Sequence, residues 1–208
     1  MKKIYLLSST KFQNTVYFPT IQIRFLEKKL NLSEIDILIF TSKNGVKAIN
    51  LVSENWKNIP ALAIGKKSFD EIVKYGGDAI PVSSKSYSKY LVKTILKNYS
   101  DKKILYIRPK IVASNIVEIL EKENIDIFET ILYETLCLNK KDKIDSDSII
   151  IATSPSTIRC LLKNIIPENS IFIAIGKTTF DAIPERFQRY IAPIQTIQSC
   201  IESAKKLI

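Results

Sequence analysis

The chain has 208 residues, and 46% are hydrophobic, enough for one large core or two small ones. It has no histidine, which excludes His-based triads, imidazole acid–base chemistry and His-ligated zinc. The formal net charge of +10 attracts polyanions: nucleic acid, an anionic membrane surface or a multiply acidic small molecule. The lysine pairs at 2–3, 28–29, 66–67, 102–103, 140–141 and 205–206 are dispersed, with no basic run of five or six. Such a diffuse field fits a small anionic ligand at least as well as DNA; lysines on solvated helix faces explain it equally. No apolar run approaches the ~18 residues of a membrane span.

The first residues, "MKKIYLLSST", have too short an apolar stretch for a signal peptide and no small-residue cleavage site. A strand over 3–7 and a cytoplasmic protein are expected. Cys137, Cys160 and Cys200 form no CxxC pair and are expected to be three buried or half-buried thiols in a reducing compartment.

In chain order the pattern predicts a strand at 3–7, a helix at 18–30, a strand at 36–40 and a helix at 44–54. Next come a strand at 60–64, a helix at 67–75, a strand at 78–82 and a helix at 86–98. A strand at 103–107, a helix at 111–123 and a strand at 125–133 follow. The last elements are a strand at 147–152, a helix at 155–163, a strand at 170–175, a helix at 177–183, a strand at 189–192 and a helix at 195–207. The strands are short, continuous and apolar, as in strands covered on both faces. Regular alternation of strand and helix predicts parallel sheets in an α/β fold.

Two segments repeat. "AIGKKSFDEI" (63–72) and "AIGKTTFDAI" (174–183) share seven of ten positions. "IFTSKNGVKAI" (39–49) resembles "IATSPSTIRCL" (151–161). Thr41-Ser42 and Thr153-Ser154 are offset by 112, and the Ala-Ile-Gly-Lys copies by 111. The chain therefore contains two similar α/β units. In each, a strand ends in a hydroxyl-rich turn that opens a helix. Ser42 or Asn44 can cap one helix, and Ser154 its counterpart, with Pro155 at the favoured first helical position. Gly65 and Gly176 allow a tight turn and expose backbone N–H groups. Helix starts at the carboxyl ends of parallel strands bind anions; the same features also serve as plain helix caps.

Other motifs fail. "GKTT" at Gly176 lacks the glycine that a phosphate-binding loop needs five positions earlier, where Ile171 stands. There is no GxGxxG.

Together the blocks resemble the uroporphyrinogen-III synthase family. They are "DILIFTSKNGV" from Asp36, "AIGKKSF", "LYET" at 132–135, "IATSPST" and "AIGKTTF", in the family's order over nearly the whole chain. The departures are Ser9 and Thr10 where an arginine is usual, Ser68 for a preferred threonine, Phe69 and Phe180 for alanine, and Pro184 in place of a final glycine.

The resemblance implies two similar lobes with parallel sheets flanked by helices, joined by a two-strand hinge. One lobe would take 1–30 and 138–208, the other 36–130, with 31–35 and 131–137 as hinge strands. It implies a cofactor-free, metal-free lyase that closes linear hydroxymethylbilane to uroporphyrinogen III, with loss of water and inversion of ring D. Tyr133 would be the proton donor, or a tyrosine packed at the hinge. Ser42, Asn44, Gly65, Ser68, Ser154, Ser156, Gly176 and Thr179 would contact the substrate carboxylates. Lys66, Lys177 and Arg108 would add charge or lie on solvated faces. The partner would be this small polycarboxylate, without nucleic acid or membrane, on a monomer. A non-enzymatic two-lobed module that clamps an anionic ligand is the alternative.

Overall fold

In the computed structural model, the described residues are 2–83, 88–112, 115–139 and 142–208. Residues 86–87 and 113–114 of two expected helices, and the lysine pair 140–141, lie outside them. The chain runs β1 (Ile4–Leu7), β2 (Val16–Tyr17), β3 (Ile21–Phe25), β4 (Ile37–Phe40), α1 (Lys43–Val52), β5 (Ala61–Ile64), α2 (Lys66–Lys74) and β6 (Ala79–Ser83). It continues with α3 (Ser88–Asn98), β7 (Ile104–Pro109), α4 (Ile116–Lys122) and β8 (Ile127–Cys137). It ends with β9 (Ile149–Ala152), α5 (Pro155–Asn164), β10 (Ile171–Ala174), α6 (Lys177–Asp181), β11 (Gln188–Ile191) and α7 (Ile197–Lys205).

These residues form two units, Met1–Gln22 with Leu136–Ile208, and Ile23–Thr135. The continuous unit is built on the sheet β3-β8-β7-β4-β5-β6, in which β8, β7, β4, β5 and β6 run parallel. Every residue of β4 and β5 is buried, because helices cover both faces and leave no wet side to alternate toward. Phe40 and Trp56 meet edge to face at 5.8 Å in one layer. Ile39, Leu62, Leu91 and Ile95 fill the other. The discontinuous unit is built on the parallel sheet β11-β10-β9-β1-β2. Its layers centre on Phe172 and Ile158, and on Leu6, Ile173 and Cys200.

Both sheets have a switch point. From β4 the chain steps outward through β5 to β6, then returns to lay β7 and β8 on the other side of β4. In the other unit β9, β10 and β11 step one way, and β1 with β2 occupies the other side. The crevices at the carboxyl ends of β4/β7 and of β9/β1 are where doubly wound sheets receive ligands.

Two expectations need correction. Residues 18–30 are not a helix. Ile21, Ile23 and Phe25 alternate with Gln22 and Arg24 in strand β3. Hydrogen bonds from Leu26 N–H to the Leu132 carbonyl and from Leu138 N–H to the Thr20 carbonyl pair this segment antiparallel with β8. That long-range pairing overrides a local pattern in which Phe18, Ile21 and Phe25 also suit a helix. The cysteines are not three thiols: Cys137 and Cys160 form a disulfide, and Cys200 alone is free and buried. The end of β8 and the middle of α5 bring together two residues 23 apart in sequence, which spacing does not reveal.

Candidate functional site

The Thr-Ser doublets act alike in the two units. Ser42 is the N-cap of α1, and its Oγ accepts from the Asn44 N–H at 3.2 Å. Ser154 is the N-cap of α5, with Pro155 at the first helical position, and its Oγ accepts from the Thr157 N–H at 3.4 Å. Ser154 Oγ also lies 2.9 Å from Ser156 Oγ. The preceding threonines reach across the switch points. Thr41 Oγ1 is 3.0 Å from the Tyr106 hydroxyl on β7. Thr153 Oγ1 donates to the Leu7 carbonyl on β1 at 2.7 Å. Each doublet thus ties its central strand to the neighbour beyond the crevice and caps the helix that opens there.

Tyr133 lies on β8 beside Pro109, where the register with β7 shifts. Its ring packs in the layer of Phe40 and Ile107, and its hydroxyl is near enough to Ser42 for that side chain to act on its titration. Burial pushes the phenol up to about 12, while Ser42 pulls it down and Tyr106 pushes it up further. The group stays protonated throughout the neutral range. Strand alternation turns the next residue, Glu134, the other way. Its carboxylate pairs with Arg24, which holds it below the usual carboxylate range, and lies 3.6 Å from Lys110.

The two Gly-Lys copies begin helices without a side-chain cap: Gly65 is the N-cap of α2 and Gly176 of α6. They need glycine for different reasons. Gly65 has φ +77° and ψ 150°, a region that is essentially glycine-only. Gly176 has φ −174°, which any residue adopts, but a Cβ there would stand 2.4 Å from Gln195 Nε2. Ser68 and Thr179 are buried in the first turns, and their N–H groups bond back to the Gly65 and Gly176 carbonyls. Lys66 is bound by Asp70 at 2.9 Å, and Lys177 by Asp181. Arg108 is clamped by Glu129, with Nε to Oε2 at 2.7 Å. These three cations are neutralised within the protein.

The structure therefore gathers Ser42, Asn44, Gly65, Ser68 and Tyr133 at the carboxyl edge of one sheet. It gathers Ser154, Ser156, Gly176 and Thr179 at that of the other. Sequence reading missed Tyr106, the crossing role of Thr41 and Thr153, and Gln195. The repeat of the threonines signalled the second of these; the other two left no mark in the pattern.

A family model described as HEM4, uroporphyrinogen-III synthase HemD, matches residues 9–202. No curated protein matches the chain. Among solved structures, the chain is similar to the uroporphyrinogen-III synthetase of Helicobacter pylori 26695, with a TM-score of 0.84 and 23% identity over 100% of both chains. It is also similar to a mutant uroporphyrinogen III synthase of the extremely thermophilic bacterium Thermus thermophilus, with a TM-score of 0.62 and 12% identity over 99% of this chain and 98% of that one. These likenesses concern the fold; the family match, which spans nearly the whole sequence, places this chain in the uroporphyrinogen-III synthase family.

Proposed function

We infer that this chain is a lyase of tetrapyrrole biosynthesis, which converts hydroxymethylbilane to uroporphyrinogen III by loss of water and ring closure with ring D inverted. The family match carries the reaction. The duplicated doublet is the structural observation that supports the site: two strand ends, each with a capped helix and an uncapped Gly-Lys helix beside it. Uncapped first turns present N–H donors and a partial positive charge, suited to carboxylates.

In this reading Tyr133 supplies a proton to the departing hydroxyl by way of Ser42. The phenol is buried and protonated, and its partner Ser42 is half-buried at the strand end. Ser42 Oγ already accepts from the Asn44 N–H, which favours donation of its own proton outward. The hydroxyl leaves as water, and the pyrrole nitrogen lone pair stabilises the resulting cation. The substituted carbon of ring D attacks it, and the bond from that carbon to the ring C methylene breaks. The free carbon of ring D bonds to that methylene, and the proton it loses returns through Ser42 to the Tyr133 phenolate. Asn44, Gly65, Ser68, Ser154, Ser156, Gly176 and Thr179 hold carboxylates, so the protein contributes mainly positioning and electrostatic preorganisation. In this reading the two units are two lobes; of the expected hinge strands, 131–137 lies within β8, whereas 31–35 is not a strand and its place as the extended segment is taken by β3. A cytoplasmic monomer is the accompanying reading, tested by cell fractionation and light scattering.

Incubation with hydroxymethylbilane and separation of the product isomers tests the assignment. The type III isomer is expected in excess. The type I isomer alone, which forms without help, refutes it.

A further inference from the structure

The lysines of α1 and α2 are arranged against the needs of the helices themselves. Lys43 opens α1, and Lys66 and Lys67 open α2, with no acidic residue in either first turn. Cations there oppose the helix dipole, where stability alone would favour Asp or Glu. Lys43 and Lys47 are one turn apart on α1, and Lys67, Glu71 and Lys74 follow each other at helical spacing on α2. The two helices pack together.

Among the described residues, Glu71 is the single carboxylate acting on Lys43, and it serves the lysines poorly. Its Oε1 is buried and accepts no hydrogen bond. The nearest lysine, Lys47, is 3.9 Å away, at the outer limit of an ion pair. Lys43 is half-buried. Burial holds its ammonium below the ordinary lysine range, Lys47, Lys67 and Lys74 push the same way, and Glu71 alone opposes them. Lys66 differs, since Asp70 neutralises it.

Lys43 and Lys47 are half-buried on α1, whereas Lys67 is exposed at the start of α2; a half-buried ammonium repelled by its neighbours at a helix start is costly unless an anion joins it. A carboxylate here satisfies the lysines and the helix dipole at once. We propose that Lys43, flanked by Lys47 and Lys67, seats a carboxylate of the substrate beside the start of α1. The proposal rests on the functional reading above and assigns that site a charged contact.

Steady-state kinetics of Lys43→Met, Lys43→Arg and Lys67→Met test it. Lys43→Met should raise KM about tenfold with little change in kcat, the signature of lost uniform binding. Lys43→Arg should recover most of the loss, and Lys67→Met should raise KM by a smaller factor. Lys122→Met, which removes the same charge from the last turn of α4, controls for net charge and should leave KM unchanged. Because repulsion is relieved, Lys43→Met should melt at or above the wild-type temperature, whereas a structural lysine would lower it. Fluorescence titration gives a readout without turnover. Uroporphyrin, with eight carboxylates, should lose affinity on Lys43→Met, and lose more than coproporphyrin, with four. Unchanged KM and unchanged uroporphyrin affinity in folded Lys43→Met and Lys67→Met overturn the proposal. A wild-type chain that yields only the type I isomer overturns the functional reading, and this proposal with it.

Discussion

Ser42, the residue that caps α1, acts on the Tyr133 hydroxyl and lowers its pKa against the rise that burial causes. A buried phenol on β8 is thereby coupled to the first turn of the helix after β4. Tyr133→Phe removes one hydroxyl and little volume, so kcat should fall more than KM rises. Ser42→Ala removes both the cap and the relay, at about 1 kcal/mol of stability. If the proton passes through both, the double variant should lose scarcely more kcat than the worse single variant, a non-additive cycle. Unimpaired turnover in Tyr133→Phe removes the proposed donor.

The same burial has a consequence at alkaline pH. In the unfolded chain the phenol titrates near 10.0, and in the folded chain burial pushes it up to about 12. A raised folded value means the contribution is fully present below 10 and is lost as pH rises through 12. Stability of the wild type, followed by denaturant unfolding, should therefore fall more steeply between those values than that of Tyr133→Phe. Parallel curves would show that Tyr133 does not titrate with unfolding.

Gly65 and Gly176 should separate on substitution. Gly65→Ala forces a Cβ into a glycine-only conformation and should cost about 1–3 kcal/mol. Gly176→Ala meets only the end of the Gln195 side chain, which can swing away, so its melting temperature should shift less. Equal losses would mean that Gln195 is held more firmly than an exposed side chain should be.

Ser68→Ala and Thr179→Ala should each raise KM about fivefold if one modest hydrogen bond to substrate, ~1 kcal/mol, is lost. The two effects should add, because the residues lie in different units and share no partner. A loss of activity that merely tracks melting temperature would make both hydroxyls structural.

Thiol titration of the denatured, unreduced chain should find one reactive sulfur, Cys200, and three after reduction. Cys137→Ser should lower the stability of the oxidised protein by about 2–4 kcal/mol, as for a crosslink that closes a loop of this size. Three thiols before reduction would show that the bond does not form.

Much of this architecture was legible because buried parallel strands are written as uninterrupted apolar runs. Ile37–Phe40 and Ile171–Ala174 admit no other reading at their length. The caps were equally open, since Ser42, Ser154 and Pro155 obey local rules. The failures come from distance. Ile21–Phe25 carries two periodicities, and only its pairing with β8, more than a hundred residues on, selects the strand. Cys137 finds Cys160 through the packing of α5. Tyr106 carries no local signal, and its contact with Thr41 appears only once β7 lies beside β4. The Gly-Lys copies looked equivalent, yet one glycine answers to its own torsion and the other to Gln195.

The placement of β1 sets the order in which the chain can acquire structure. Residues 23–135 cluster as one compact unit, so they can meet their partners before β9 is made. The first strand cannot: Ile4 pairs with Ile149 and Leu7 with Ala152, partners synthesised only after the whole middle of the protein. Closing so long a loop on an unstructured chain is entropically costly, and a folded middle shortens it. Early condensation of 23–135 therefore carries the N-terminal strand toward β9, and slowing that step leaves Ile4, Tyr5, Leu6 and Leu7 as an exposed, aggregation-prone edge.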